Sequence, residues 1–169
     1  MTLPSQSGIH SLSKDAYFFD SYSTTIPYRN QSALDVYFVL VKETPSWVNR
    51  LMALRNQIVS YLGLKNLGHM ADIDVHKPST AYQVGDKVGI FSIYAVSHQE
   101  IILEDRDKHL DVRVSFFVEP DGETATVHAS TVVQVKNWLG KLYMFFVAPV
   151  HKVIVPTSLK KLQYAENQR

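Results

Sequence analysis

Hydrophobic and polar positions follow two rhythms along the chain, and the change of rhythm divides it into elements. Aromatic side chains at Tyr17, Phe18, Phe19 and Tyr22 predict a first strand from Asp15 to Thr25. Ile26-Pro27 closes it, because proline withholds a ladder donor. Ser32, with Asp35 three residues on, has capping-box spacing and predicts a helix, nearly all apolar through Val41 and so buried on most sides. A second helix takes Thr44 as its N-cap, Pro45 as its first residue and Gly63 after its end. Trp47, Val48, Leu51, Met52, Leu54, Ile58, Val59, Tyr61 and Leu62 share one broad arc of that helix. Asn49, Asn56, Gln57 and Ser60 lie opposite.

After a loop containing Gly68 and Pro78 the period turns from helical to alternating. Lys87 to Val96, Gln99 to Glu104, His109 to Val118 and Glu123 to Lys136 read as four strands with short turns, hence an antiparallel meander. Leu110, Val112, Val114, Phe116 and Val118 point one way, and His109, Asp111, Arg113 and Ser115 the other. Ala125, Val127, Ala129, Val133 and Val135 share a face of the last strand. Asn137 then caps a closing helix with Trp138, Leu142, Tyr143, Phe145, Phe146, Val150, Val153 and Ile154 on a wide apolar arc. Pro149 is expected to kink or split it. This order predicts an α+β class, with a curved antiparallel sheet wrapped around a long C-terminal helix. Residues 1–14, polar and Ser-rich, read as a flexible tail, and residues 15–165 as one domain.

Composition narrows the function more than the fold. The 169 residues hold 17 Lys and Arg against 16 Asp and Glu, a balance that argues against a nucleic-acid binder. There is no cysteine, which removes thiol nucleophiles, thiolate metal sites and disulfides. The most apolar run, Leu142 to Val150, is far short of the roughly 20 residues of a bilayer crossing. No membrane span and a cytoplasmic location are therefore expected, and no cofactor.

Few motifs carry chemistry. Gly63 and Gly68 have the spacing of a phosphate loop, but His69 and Met70 stand where Lys and Ser or Thr belong. His109-Leu-Asp111, with His128 or His151, has the spacing of an iron facial triad, yet the chain offers too few strands for that barrel. A polar ladder balancing Asp111 against Arg113 explains the same residues. Arg55 is the sharper signal, since it falls in the middle of an apolar arc. A guanidinium cannot shed its proton, so it is expected to be largely buried against a carboxylate (Asp111, if that strand bends inward), several carbonyls or an anionic ligand. Tyr94, Tyr143 and Phe146 are aromatic candidates for lining a cavity beside it.

Several strings together resemble one family. They are Asp15-Ala-Tyr17, Pro45 to Asn56, Gly85 to Phe91, His109 to Ser115, and the stretch from Thr131 through Asn137-Trp-Leu-Gly-Lys-Leu-Tyr143 to Pro156. The family is the uncharacterised "domain of unknown function 2867" group, and the similarity covers most of the chain after the tail. The resemblance implies a START-like (SRPBCC) helix-grip domain, whose sheet and C-terminal helix enclose an apolar ligand cavity. Some longer relatives carry an NAD(P)-binding domain in front; this sequence has no dinucleotide motif, so that dependence is not carried over.

The leading expectation is a binding module for a small apolar or amphipathic ligand between sheet and C-terminal helix, with Arg55, Asp111, Tyr94, Tyr143 and Phe146 as ligand-binding residues. A cyclase-, isomerase- or hydrolase-like enzyme using His109 and Asp111 is the alternative, as is a solid-core interaction domain partnering a reductase. Self-association is left open.

Overall fold

A computed structural model describes residues 3–61, 73–74 and 77–169. Leu62, Gly63, Gly68, His69 and Met70, named above, lie outside the described residues. The elements run α1 (Ile9–Leu12), β1 (Phe18–Pro27), α2 (Ala33–Lys42), α3 (Ser46–Tyr61), β2 (Lys87–Val88), β3 (Phe91–Val96), β4 (Glu100–Arg106), β5 (Leu110–Asp121), β6 (Thr124–Val135) and α4 (Trp138–Asn167). Six strands form one antiparallel sheet in the order β1-β6-β5-β4-β3-β2. The first strand thus closes against the last, and α4 packs on the same face as α2. This is the α+β helix-grip arrangement.

Local chemistry accounts for most of these elements. Ser32 accepts from the Asp35 backbone N–H while Asp35 accepts from that of Ser32, the capping box expected of α2. Burial opposes ionisation of Asp35, but hydrogen bonds from Ser32 and Ser79 outweigh it and hold the carboxyl below its ordinary value. Asn137 caps α4 by accepting from Gly140 N–H. Thr44 does not cap α3: its hydroxyl donates back to Leu40 C=O of the preceding helix. The stretch Lys87 to Val96 is two strands, split where Gly89 takes a φ of 63°.

The inner face of the sheet carries Ile93, Ile101, Leu103, Phe116, Val118, Ala125, Val127 and Ala129, packed with Leu34, Tyr37 and Leu40 of α2 and Leu159 and Leu162 of α4. Leu110, Val133 and Met144 extend this core toward the start of α4. The alternation read for β5 and β6 therefore holds. His109, Asp111 and Arg113 face the other way, as expected, but they are not open to solvent. The side chain of Arg113 is 12% exposed, ion-paired with Glu104 at 3.5 Å and laid over the Tyr94 ring at 4.9 Å.

Two further expectations are corrected. Residues 3–14 are packed, not a loose tail: Ile9 is fully buried against Ile102 and Val132 on the outer face of the sheet. Ser7 and Ser115 donate to Glu100 Oε1, and Gly8 N–H donates to Oε2 at 2.8 Å, pinning the segment. Pro149 does not split α4, which runs unbroken for 30 residues with Pro149 and Pro156 inside it. The carbonyl that Pro149 leaves without its helical amide partner belongs to Phe145, a residue on the exposed side of the helix. By length and composition alone α4 would suffice to cross a bilayer, although its longest unbroken apolar run is short.

Two outcomes follow. Ile9→Ala should destabilise the fold by about 2–5 kcal/mol in urea unfolding, as for any large core truncation, whereas a free tail would give less than about 0.5 kcal/mol. Because the folded-state value of Asp35 is depressed, its contribution is present above the ordinary value of 3.8 and is lost as pH falls through the folded value. Asp35→Asn should remove that part of the acid destabilisation, read as a flatter stability curve below about pH 4.

Candidate functional site

The rotation of α4 about its axis decides what faces the sheet. Gly140, Met144, Ser158, Leu159, Leu162 and Glu166 are its buried residues. The aromatic arc expected to bury does not: Trp138 is 72% exposed, Phe145 73% and Phe146 64%. Trp47 and Leu54 of α3 are likewise exposed, while Val48 is buried.

Of the residues expected to bind a ligand, only Arg55 and Tyr143 are brought together. Arg55 is half-buried, and its Nε donates to the Tyr143 hydroxyl at 3.0 Å while Nη1 donates to Asn56 Oδ1 at 2.9 Å. It also lies 5.5 Å from the Tyr143 ring centroid, so this pair ties α3 to the flank of α4. Asp111 sits on the outer face of the sheet, held by Lys136 at 2.7 Å and Arg106 at 3.9 Å, and is not a partner for Arg55. Tyr94 also belongs to the outer face, beneath Arg113. Phe146 points outward from α4. His109 lies 2.9 Å from Asn137 Nδ2, so it and Asp111 have separate partners and share no cavity as an acid–base pair. The facial triad does not assemble either: His128 pairs with Glu119 on the outer face, and His151 is under α4.

One constellation escaped the sequence reading. Asp20 on β1 and Thr131 on β6 are register partners on the inner face, and His151 of α4 reaches down between them. Its Nδ1 lies 2.9 Å from Asp20 Oδ2 and its Nε2 lies 3.3 Å from Thr131 Oγ1. The Asp20 side chain is 3% exposed and that of His151 is 23% exposed. The second Asp20 oxygen, Oδ1, is buried without a hydrogen-bond partner among the described residues. Beside it, the Tyr22 phenol is pushed up, first by burial and then by the Asp20 carboxylate. With the imidazole proton on Nδ1 toward Asp20, Nε2 accepts from the Thr131 hydroxyl. That order resembles a carboxylate–imidazole–hydroxyl relay. Thr131 is nevertheless only 4% exposed, which leaves a substrate no approach to its oxygen. The chain acts as a polar clamp between helix and sheet.

Next to the clamp, an apolar groove of about 320 Å³ opens between β1 and α4, lined by Tyr17, Phe18, Met144, Phe145, Ala148, Pro149 and Lys152. Phe18 links groove and clamp, meeting the His151 ring edge-on at 6.1 Å. A smaller cleft of about 190 Å³ lies among Arg29, Gln31, Asp35, Glu166 and Arg169, where two acids balance two bases. Among the described residues, no group of three or more His, Asp or Glu side chains could hold a metal ion.

The sequence matches the family described as "Protein of unknown function (DUF2867)" over residues 12–158, and the chain belongs to that family. Its architecture is a six-stranded antiparallel sheet with a long C-terminal helix packed on it. No curated protein matches it. Among solved structures it is similar to the di-domain ARO/CYC StfQ from the steffimycin biosynthetic pathway, at 10% identity and a TM-score of 0.46. That likeness covers 95% of this chain and 54% of the other, so the chain spans about half of that protein. A conserved protein from Geobacillus kaustophilus gives 10% identity and 0.44, covering 89% of this chain and 96% of the other. A START superfamily protein from Mycobacterium smegmatis gives 13% and 0.35, covering 89% and 97%. These are likenesses of overall shape, and nothing about ligand or activity follows from them.

Breaking the clamp from one side should be costly. His151→Phe leaves a buried carboxylate unpaired, and a loss of about 3–5 kcal/mol in urea unfolding is expected. Adding Asp20→Asn should restore part of that loss, since no charge is then stranded.

Proposed function

We infer that the protein binds a small amphipathic molecule in the groove between β1 and α4, apolar body against the aromatic walls and acceptor head toward Lys152. The observation that carries this reading is the composition of that groove: six of its seven lining residues are apolar or aromatic, and the seventh is the exposed cation Lys152. Its volume is at the lower end of small-molecule sites, which run from about 300 to 1,000 Å³. An apolar body burying about 200 Å² would gain roughly 5 kcal/mol. That alone supports submillimolar binding before ordering costs, so the charged head supplies discrimination. Arg55 and Tyr143, on the opposite flank of α4, tie α3 to that helix and do not form the groove wall.

Titration with anilinonaphthalene sulfonate, an apolar anion, tests the reading. Ala148→Trp fills the groove and should weaken probe binding at least about tenfold, a difference of about 1.4 kcal/mol. Lys152→Ala should weaken it less, by the fraction of a kcal/mol to about 1 kcal/mol of an exposed ion pair. Unchanged affinity in Ala148→Trp would place the probe elsewhere and overturn the proposal.

A further inference from the structure

The face that α4 turns away from the sheet is the least expected surface of the molecule. Trp138, Leu142, Phe145, Phe146, Val150 and Val153 are all exposed there, between 39% and 73%. Positions 138, 142, 145, 149 and 153 follow one another at helical spacing, so they form a continuous stripe about 22 Å long at 1.5 Å per residue. A contiguous apolar stripe on a folded surface marks a contact with something else.

Charge identifies what. From Trp138 to Ala165 the helix carries Lys141, Lys152, Lys160 and Lys161 and no Asp or Glu. All four lysines are exposed. Lys141 and Lys152 border one side of the stripe, and Lys160 and Lys161 follow its C-terminal end. A second copy docked two-fold on this face would set lysines against lysines with no carboxylate to meet them. An anionic surface meets the same groups favourably. Aromatic and aliphatic side chains flanked by lysines are the composition of a helix lying in the plane of a lipid interface.

Spanning is ruled out by the other side of the helix. Glu166, the His151 clamp, Leu159 and Leu162 bind α4 to Arg29, β1, β6 and α2. Crossing a bilayer would strip those partners and expose the apolar inner face of the sheet.

We propose that the outward face of α4 docks on the surface of an anionic lipid bilayer. Phe145 and Phe146 enter the acyl boundary and the lysines meet the headgroups. The proposal stands on this stripe, independently of any ligand in the groove. Phe145, Pro149 and Lys152 belong to both surfaces, so docking would bring the groove mouth to the lipid.

Sedimentation with vesicles, without added ligand, tests it. The protein should sediment with phosphatidylcholine–phosphatidylglycerol vesicles at low salt, bind pure phosphatidylcholine much more weakly, and be released by high salt. Trp138 emission should shift to the blue on binding. Phe145→Ser with Phe146→Ser should weaken vesicle binding at least about tenfold, with an unchanged thermal midpoint because both rings are exposed. Lys141→Glu with Lys160→Glu should weaken it as well, and gives a second measure if the first variant folds poorly. Ala148→Trp should leave it intact, which separates this surface from the groove. Failure to sediment with the anionic vesicles would overturn the proposal, as would equal binding to neutral ones. A dimer that the phenylalanine substitutions dissociate, without vesicle binding, would assign the face to a second copy.

Discussion

The seating of α4 on the sheet is the constraint on which the rest of the structure depends, and three unlike anchors along the helix set it. At the first turn, Gly140 lies so close to the His109 carbonyl that a Cβ there would collide with it, and would lie 3.0 Å from Val135 Cγ1. Midway, the His151 ring is held between Asp20 and Thr131. At the far end, Glu166 accepts from Arg29 at 3.2 Å and from Arg169 at 3.3 Å. Overpacking at a close approach costs about 1–3 kcal/mol, and stranding a buried charge more. Any other rotation of the helix would incur all three penalties together.

The second consequence concerns the opposite face of the sheet. A single sheet with helices on one side would leave its outer face wet, and the polar residues of β5 look suited to that. The N-terminal segment covers part of it instead. Glu100 is the hinge of this arrangement, because its two oxygens gather Ser7, Ser115 and the Gly8 N–H. Ile9 and Ile102 then pack where Ser115 and Ser130 would otherwise meet water. Further along, Arg113, Glu104 and Tyr94 shield one another, so charge is present without being exposed.

Much of this was legible in the sequence wherever the cause is local. The capping box of α2 and the Asn137 cap of α4 depend on residues three apart. The alternation of β5 and β6 depends on period two over a dozen residues. The phase of α4 was not legible, and the reason is physical. Between Trp138 and Val155 apolar residues surround the helix almost completely, so hydrophobic periodicity cannot choose a face. The choice is made by Gly140, His151 and Glu166, small or polar residues that an apolar scan places outside. Their partners are distant: Asp20 and His151 are 131 residues apart. Arg55, expected to be largely buried, is only half-buried, and the tyrosine hydroxyl beside it in space leaves no trace in the spacing of α3.

The resulting helix inverts the usual distribution, with polar anchors inward and aromatic rings outward. Burying a Phe side chain contributes about 1.5–3 kcal/mol. A rotation that buried Phe145 and Phe146 would therefore gain several kcal/mol of apolar burial. It would also strand Asp20 and Glu166 without partners, and the larger Asp20 and Glu166 penalty keeps the rings out. The polar anchors thus do two things at once. They fix the helix on the sheet, and they hold open the groove wall at Phe145 and Pro149, because a helix free to roll would close that space against Phe18. The exposed aromatics and the groove beside them are consequences of one choice of rotation, made by Gly140, His151 and Glu166 together.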